Sequence, residues 1–138
     1  MKNNSKIADK LRSSGLRPTK QRIQIAEFLF EREKTFHFTV EELDRLINSK
    51  INGEKISLAT FYNTVHAFKK AGHLKEILTS NNKCYFDTHI GAHHHFFDLE
   101  NNKLTDIESD KVKIRSIPNA PKGKTIKDID VVINIENG

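Results

Sequence analysis

Ser57-Leu-Ala-Thr-Phe-Tyr-Asn-Thr-Val-His-Ala-Phe-Lys-Lys-Ala-Gly72, followed by Leu74-Lys-Glu-Ile-Leu-Thr79 and Lys83-Cys-Tyr-Phe86, is the stretch on which the fold turns. Ser57 is a helix N-cap, and Gly72 closes the helix that runs to Ala71. Leu58, Phe61, Val65 and Phe68 recur at helical spacing and form the stripe expected to be buried. The opposite face carries Ala59, Thr60, Asn63, Ala67 and Lys70, with Tyr62 on its border. Two short apolar runs then flank the polar tip Ser80-Asn81-Asn82, a β-hairpin pattern. A small, polar helix face ahead of a hairpin suits close approach to base edges. The plainer reading is a helical bundle with an ordinary solvent face.

Working upstream, Thr39 caps another helix, and Glu42 three residues on completes a capping box. Val40, Leu43, Leu46 and Ile47 are its expected buried stripe. Phe36-His37-Phe38 reads as a bend. Pro18 favours the start of an earlier helix carrying Ile23, Ala26, Phe28, Leu29 and Phe30 to about Glu33. Residues 5–14 read as a short amphipathic helix with Ile7, Ala8 and Leu11 on one side and Gly15 as its stop. The helices and the hairpin stand in the order of a winged helix-turn-helix, with the Ser57 helix in the recognition position.

Charge divides the chain. Residues 1–87 carry 16 Lys+Arg and 10 Asp+Glu, whereas residues 88–138 carry 7 and 8. A basic half joined to a near-neutral one points to a polyanion meeting the first half alone, and a Lys-rich solvated surface is the alternative. The single cysteine, Cys84, excludes an intrachain disulfide and a Cys-built zinc site. It fits a reducing cytoplasm. The N-terminus has no apolar core of a signal peptide. No run approaches the roughly 18 apolar residues of a membrane span.

Downstream lies Asp87-Thr-His-Ile-Gly-Ala-His93-His94-His95-Phe96-Phe97, with Asp106 beyond it. Imidazole with carboxylate suits borderline divalent metals. In an extended strand His93 and His95 share a face and His94 points the other way. Phe96 to Leu99 reads as a strand, Glu100 to Lys103 as a turn, and Leu104 to Ile107 as the return strand. Pro118, Pro121 and Gly123 leave room for at most a short helix in 108–125. Ile126 to Ile135 reads as a strand buried on both faces. So thin a sheet would gain by continuing into a second copy, so a homodimer is expected.

Gly15-Leu-Arg-Pro-Thr-Lys-Gln-Arg22, Ser57-Leu-Ala-Thr-Phe-Tyr-Asn-Thr64 and Asp87…His93-His94-His95 resemble the ferric uptake regulator superfamily. The likeness runs from about residue 7 to 107. It implies an α+β chain: a winged-helix DNA-binding domain at 1–86, then a small α/β dimerisation and sensing domain at 87–138 whose sheet pairs across a homodimer. The implied regulatory metal ligands are His37, Asp87, His93, His95 and Asp106, taking Fe(II), Mn(II) or another divalent ion. One ion gathering all five would fix the angle between the domains, and so the spacing of two recognition helices on double-stranded DNA. The implied DNA residues are Tyr62 and Arg17, with Ser57, Thr60 and Asn63 for phosphate or base edges. Arg22 and Lys83 are weaker candidates.

Most members hold a structural zinc through a Cys-x-x-Cys pair after the last histidine. Here those positions are Asp98 and Asn101, so a structural zinc held by cysteines alone is excluded by ligand count. This loss, the three histidines, Phe96-Phe97 and the Asp128–Ile135 tail are most similar to the iron response regulator subgroup. That likeness implies haem as a further ligand of His93, His94 and His95. His94 is left between haem axial ligand and outward-facing residue. The function implied is an iron- or haem-responsive repressor reading A·T-rich operators and controlling iron and haem metabolism genes. The alternatives are a Mn/Fe- or peroxide-sensing repressor of the same superfamily, and a metal-dependent enzyme using the His/Asp cluster. His66, His73 and His89 read as surface, cap and hinge residues, and Cys84 as a small buried hydrophobe.

Overall fold

The computed structural model describes residues 2–138, with side chains from Lys6 onward. It divides into two compact units, one running to Leu78 and resuming over Asn82–Ile90, the other comprising Thr79–Asn81 and Gly91–Gly138.

Four helices and a three-stranded sheet make up the first unit. Helix α1 (Lys2–Ser13) buries Ile7, Ala8 and Leu11. It ends because Gly15 takes φ +85°, which lets the Leu16 amide donate back to the Leu11 carbonyl at 2.9 Å. Helix α2 (Lys20–Phe30) starts two residues later than Pro18 suggests. Thr19, in extended backbone, accepts from the Arg22 amide at 3.2 Å and is the true cap. The helix also stops short of Glu33, since the charged run after Phe30 has no apolar face to bury.

His37–Phe38 is not a bend but a short strand, β1, paired antiparallel with β3. Antiparallel ladder bonds are available there once Phe38 drops into the core, where it is fully buried. Helix α3 (Val40–Asn48) has the expected cap, Thr39, which accepts from the Glu42 amide at 3.2 Å; Glu42 reaches back to the Thr39 hydroxyl, which donates to its carboxylate at 3.3 Å. Helix α4 (Leu58–Lys70) is capped by Ser57, which accepts from the Thr60 amide at 3.1 Å. Gly72, at φ +88°, closes it. Two apolar residues of the expected stripes face out: Leu46 and Leu58 are exposed, and Thr64 is buried in α4 instead. Leu58 is the first residue of its helix, where the apolar stripe has not yet turned inward.

Strands β2 (Lys75–Leu78) and β3 (Cys84–Asp87) form the expected hairpin, and the sheet order is β1-β3-β2. One core joins the four helices, β1 and β3 through Leu11, Ile25, Leu29, Phe38, Leu43, Phe61 and Phe86. Each such side chain contributes roughly 1.5–3 kcal/mol by leaving water.

The second unit is a three-stranded sheet of order β5-β4-β6. Strands β4 (His93–Asp98) and β5 (Lys103–Glu108) are antiparallel, and β6 (Val132–Ile135) lies parallel to β4 on its other edge. Asp98 caps the β4–β5 turn: its carboxylate accepts from the Glu100 amide at 2.9 Å, and Asn102 takes φ +57°. A single 3-10 turn, Ser109–Lys111, is the only helix among the described residues between β5 and β6. The C-terminal strand is shorter than 126–135, and it is not buried on both faces. Ile129, before the strand, is exposed, as are Ile133 and Ile135 on β6, which sits at the sheet edge.

Candidate metal centre and nucleic-acid interface

Register places the first pair of candidate ligands. His37 on β1 stands opposite Asp87 on β3, and its Nε2 lies 3.1 Å from Asp87 Oδ2. Asp87 is fully buried, and its other oxygen accepts from the His89 amide at 2.9 Å. The loop beside them is clamped both ways. The Phe36 amide donates to the Thr88 hydroxyl at 2.9 Å, and the Thr88 amide donates to the Phe36 carbonyl at 3.2 Å. A carboxylate taken wholly out of water is costly unless it meets positive charge or strong donors.

The second group sits on β4 and β5. His93 and His95 share a face, their ring centroids 4.4 Å apart. Asp106, opposite His95 in register, points one oxygen at both: 3.4 Å from His93 Nε2 and 3.2 Å from His95 Nε2. His93 Nδ1 lies 2.7 Å from the Gly91 carbonyl, which can only accept. Nδ1 therefore carries a proton. In a neutral ring Nε2 is then a lone pair facing a carboxylate oxygen, two acceptors nose to nose. The arrangement calls for a proton or a cation between them. Nitrogen and oxygen donors of this kind fit divalent Mn, Fe or Zn.

His94 is neither an outward residue nor an open ligand. It is 8% exposed, and its Nδ1 accepts from the Val131 amide at 3.0 Å. The neighbouring His95 amide donates to the Val131 carbonyl at 3.1 Å. Alternation along the strand did put His94 on the other face, but periodicity carries no sign of what covers that face. A neutral His94 accepting at Nδ1 holds its proton on Nε2, so it ties β6 to β4.

The candidate DNA residues all lie in the first unit. Tyr62 and Asn63 are exposed on α4. Ser57 and Thr60 are engaged with each other at the start of that helix, their hydroxyls 2.9 Å apart. Arg17 is exposed, and the Arg22 guanidinium donates to its carbonyl at 3.2 Å. A cavity of about 660 Å³ opens between α3, α4 and β3, lined among others by Glu41, Arg45, Tyr62, His66, Lys83 and Cys84. The Tyr62 hydroxyl donates to the Glu41 carboxylate in a short contact. That bond and partial desolvation raise the phenol above its ordinary value. His66 is no idle surface residue. Its ring stacks on Tyr62 with centroids 6.4 Å apart, and meets Phe86 edge-on at 6.1 Å.

Cys84 is half-buried rather than buried, and burial, then the Glu76 carboxylate, push its thiol up to about 11. His73 lies 2.7 Å from the Ser14 hydroxyl and packs on Phe30 and Phe68, and burial lowers its pKa. Sequence reading missed Glu41 and the support from His66. The spacing of His66, one turn after Tyr62, was the available signal.

A winged helix-turn-helix followed by a sheet bearing histidine and carboxylate donors defines a class: winged-helix proteins equipped for a metal ion. The model of the ferric uptake regulator family matches residues 13–134, and the chain belongs to that family. The peroxide-responsive repressor PerR of Staphylococcus epidermidis is 31% identical over 96 residues, 70% of this chain and 61% of the relative. The chain thus spans less than two thirds of the length of that relative. Two solved structures share the fold. The ferric uptake regulator from Pseudomonas aeruginosa with manganese has TM-score 0.69 at 21% identity, covering 94% of this chain and 96% of that one. The Vibrio cholerae ferric uptake regulator has TM-score 0.70 at 19% identity, covering 94% and 98%. The family is described as one of regulators, which speaks against an enzyme built on the His/Asp cluster. No helix among the described residues is long and apolar enough to cross a membrane.

Proposed function

We propose that this chain is a metal-responsive transcriptional repressor, working in the cytoplasm as a homodimer on A·T-rich double-stranded DNA. Residues 1–86 read the DNA, and residues 87–138 sense and dimerise. The regulatory ion, Fe(II) or Mn(II), takes the ligands that the family likeness implies, His37, Asp87, His93, His95 and Asp106. What supports this reading is the convergence of His93 Nε2 and His95 Nε2 on one Asp106 oxygen, a nitrogen and oxygen donor set of the kind divalent metals take. When bound, the metal supplies positive charge among three imidazoles and two carboxylates. His37 and Asp87 stand on β1 and β3, and the remaining three ligands on β4 and β5. Shared ligation couples the posture of the two units to DNA affinity, because the conformer that binds both is favoured. Arg17, Ser57, Thr60, Tyr62 and Asn63 form the DNA surface.

Two finer readings differ in the signal. Control of iron and haem metabolism genes rests on the likeness to the iron response regulator subgroup, with haem on the three histidines. Haem ligation by His94 would require breaking its bond to the Val131 amide, which favours the divalent ion as the resident ligand. A peroxide signal is supported by the similarity to a peroxide-responsive repressor. Titrating the intact protein with Mn(II), and separately with haem, tests these. Stoichiometric Mn(II) binding that is lost in His93→Ala supports the divalent site. A haem Soret band that vanishes when His93, His94 and His95 are replaced together by Ala would support haem instead.

A further inference from the structure

Tyr62 has been assigned to the DNA surface, but a phenol can approach DNA in two ways. Its hydroxyl can donate to a phosphate, or its ring can contact a thymine methyl group. The residues around it separate these options. Its hydroxyl donates a hydrogen bond to the Glu41 carboxylate. Glu41 lies in the first turn of α3, where the helix dipole favours a negative charge. The back of the ring rests on His66, which stands on buried Phe86. Tyr62 is therefore held from two sides, with its donor occupied and an anion beside it. A phosphate brought to that hydroxyl would meet the Glu41 charge. Arg45 and Lys83 line the same cavity and supply cations for phosphate.

We propose that Glu41 is a specificity-determining residue that positions Tyr62: by accepting its hydroxyl, Glu41 presents the ring to bases and denies the hydroxyl to phosphate. This rests on the DNA-binding reading above. Glu41 contacts no base in this scheme. It raises the ratio of specific to non-specific binding, at the expense of overall affinity. Nothing in the residue pattern of α3 marks it, because its position also suits an ordinary first-turn carboxylate.

The test uses the intact, Mn(II)-loaded protein. The probes are the tightest duplex it selects from an A·T-biased random pool, the same duplex with uracil for thymine, and a scrambled duplex. Glu41→Ala, Glu41→Gln, Tyr62→Phe and the Glu41→Ala/Tyr62→Phe double variant are compared with the wild type. All of these positions are exposed, so folding is not at risk. Glu41→Ala is expected to lower the selected-to-scrambled ratio about tenfold while binding scrambled DNA more tightly. Tyr62→Phe is expected to lower the ratio similarly, and the double variant no further. Wild-type preference for thymine over uracil should shrink in Glu41→Ala. Tyrosinate absorbance provides a separate readout: the phenol missing in Tyr62→Phe should titrate at lower pH in Glu41→Ala. Additive effects, or equal tightening on both duplexes, would leave Glu41 a mere repulsive charge and overturn the proposal. A wild-type protein that selects no duplex would instead overturn the DNA-binding reading, and this proposal with it.

Discussion

His37 and Asp87 stand opposite each other on β1 and β3, with Nε2 and Oδ2 3.1 Å apart and the aspartate fully buried. The pair joins a two-residue strand to the last residue of the wing. Removing the carboxylate leaves His37 without its buried partner and takes one oxygen from the proposed donor set. Asp87→Ala should weaken Mn(II) affinity by more than the roughly 10–100-fold typical of losing an outer-shell partner. Competition against a chelator of known affinity measures it. Unchanged affinity would remove Asp87 from the ligands.

His94 should behave differently from its two neighbours. Its bond to the Val131 amide is structural, so His94→Ala should leave Mn(II) binding nearly intact. Hydrogen exchange at the Val131 amide should quicken as the β6 edge loosens. A loss of Mn(II) binding comparable to that in His95→Ala would place His94 among the ligands.

His73 gives a pH signature. Burial, then the Lys10 charge, holds its folded pKa below 6.5. The unfolded chain therefore takes up this proton first as pH falls. The contribution is fully present above about 6.5 and is lost as pH drops through and below it. Denaturant unfolding from pH 8 to 5 should show a smaller acid loss in His73→Gln than in wild type. Identical slopes would contradict the shift.

Cys84 should be slow to alkylate. With a thiol near 11, about 1 in 1,000 molecules carries the thiolate at pH 8. Reaction with a maleimide should be slow in the folded protein and fast in denaturant. Equal rates would show an accessible, ordinary thiol.

Much of the fold was legible because its signals are local. Thr39 and Ser57 announce their helices through hydroxyls that reach an amide three residues on, and Gly15 and Gly72 mark helix ends. What failed depends on neighbours that periodicity does not name. The pairing that straightens His37–Phe38 comes from Phe86 and Asp87, some fifty residues away. The exposure of Ile133 and Ile135 follows from an edge position in the sheet. For the candidate site, spacing put His93 and His95 on one face. The role of His94 was hidden because its partner is a backbone amide, which every residue type but proline offers. Glu41 was hidden for a related reason: its contact with Tyr62 is tertiary.

The most direct measurement is DNA affinity of the same protein, metal-free and Mn(II)-loaded, at fixed salt, paired with Mn(II) affinity with and without that DNA. Coupling through shared ligands predicts a change of roughly 5–150-fold in DNA affinity, and the same factor in Mn(II) affinity. Equal DNA affinities with Mn(II) bound at His93, His95 and Asp106 would contradict it.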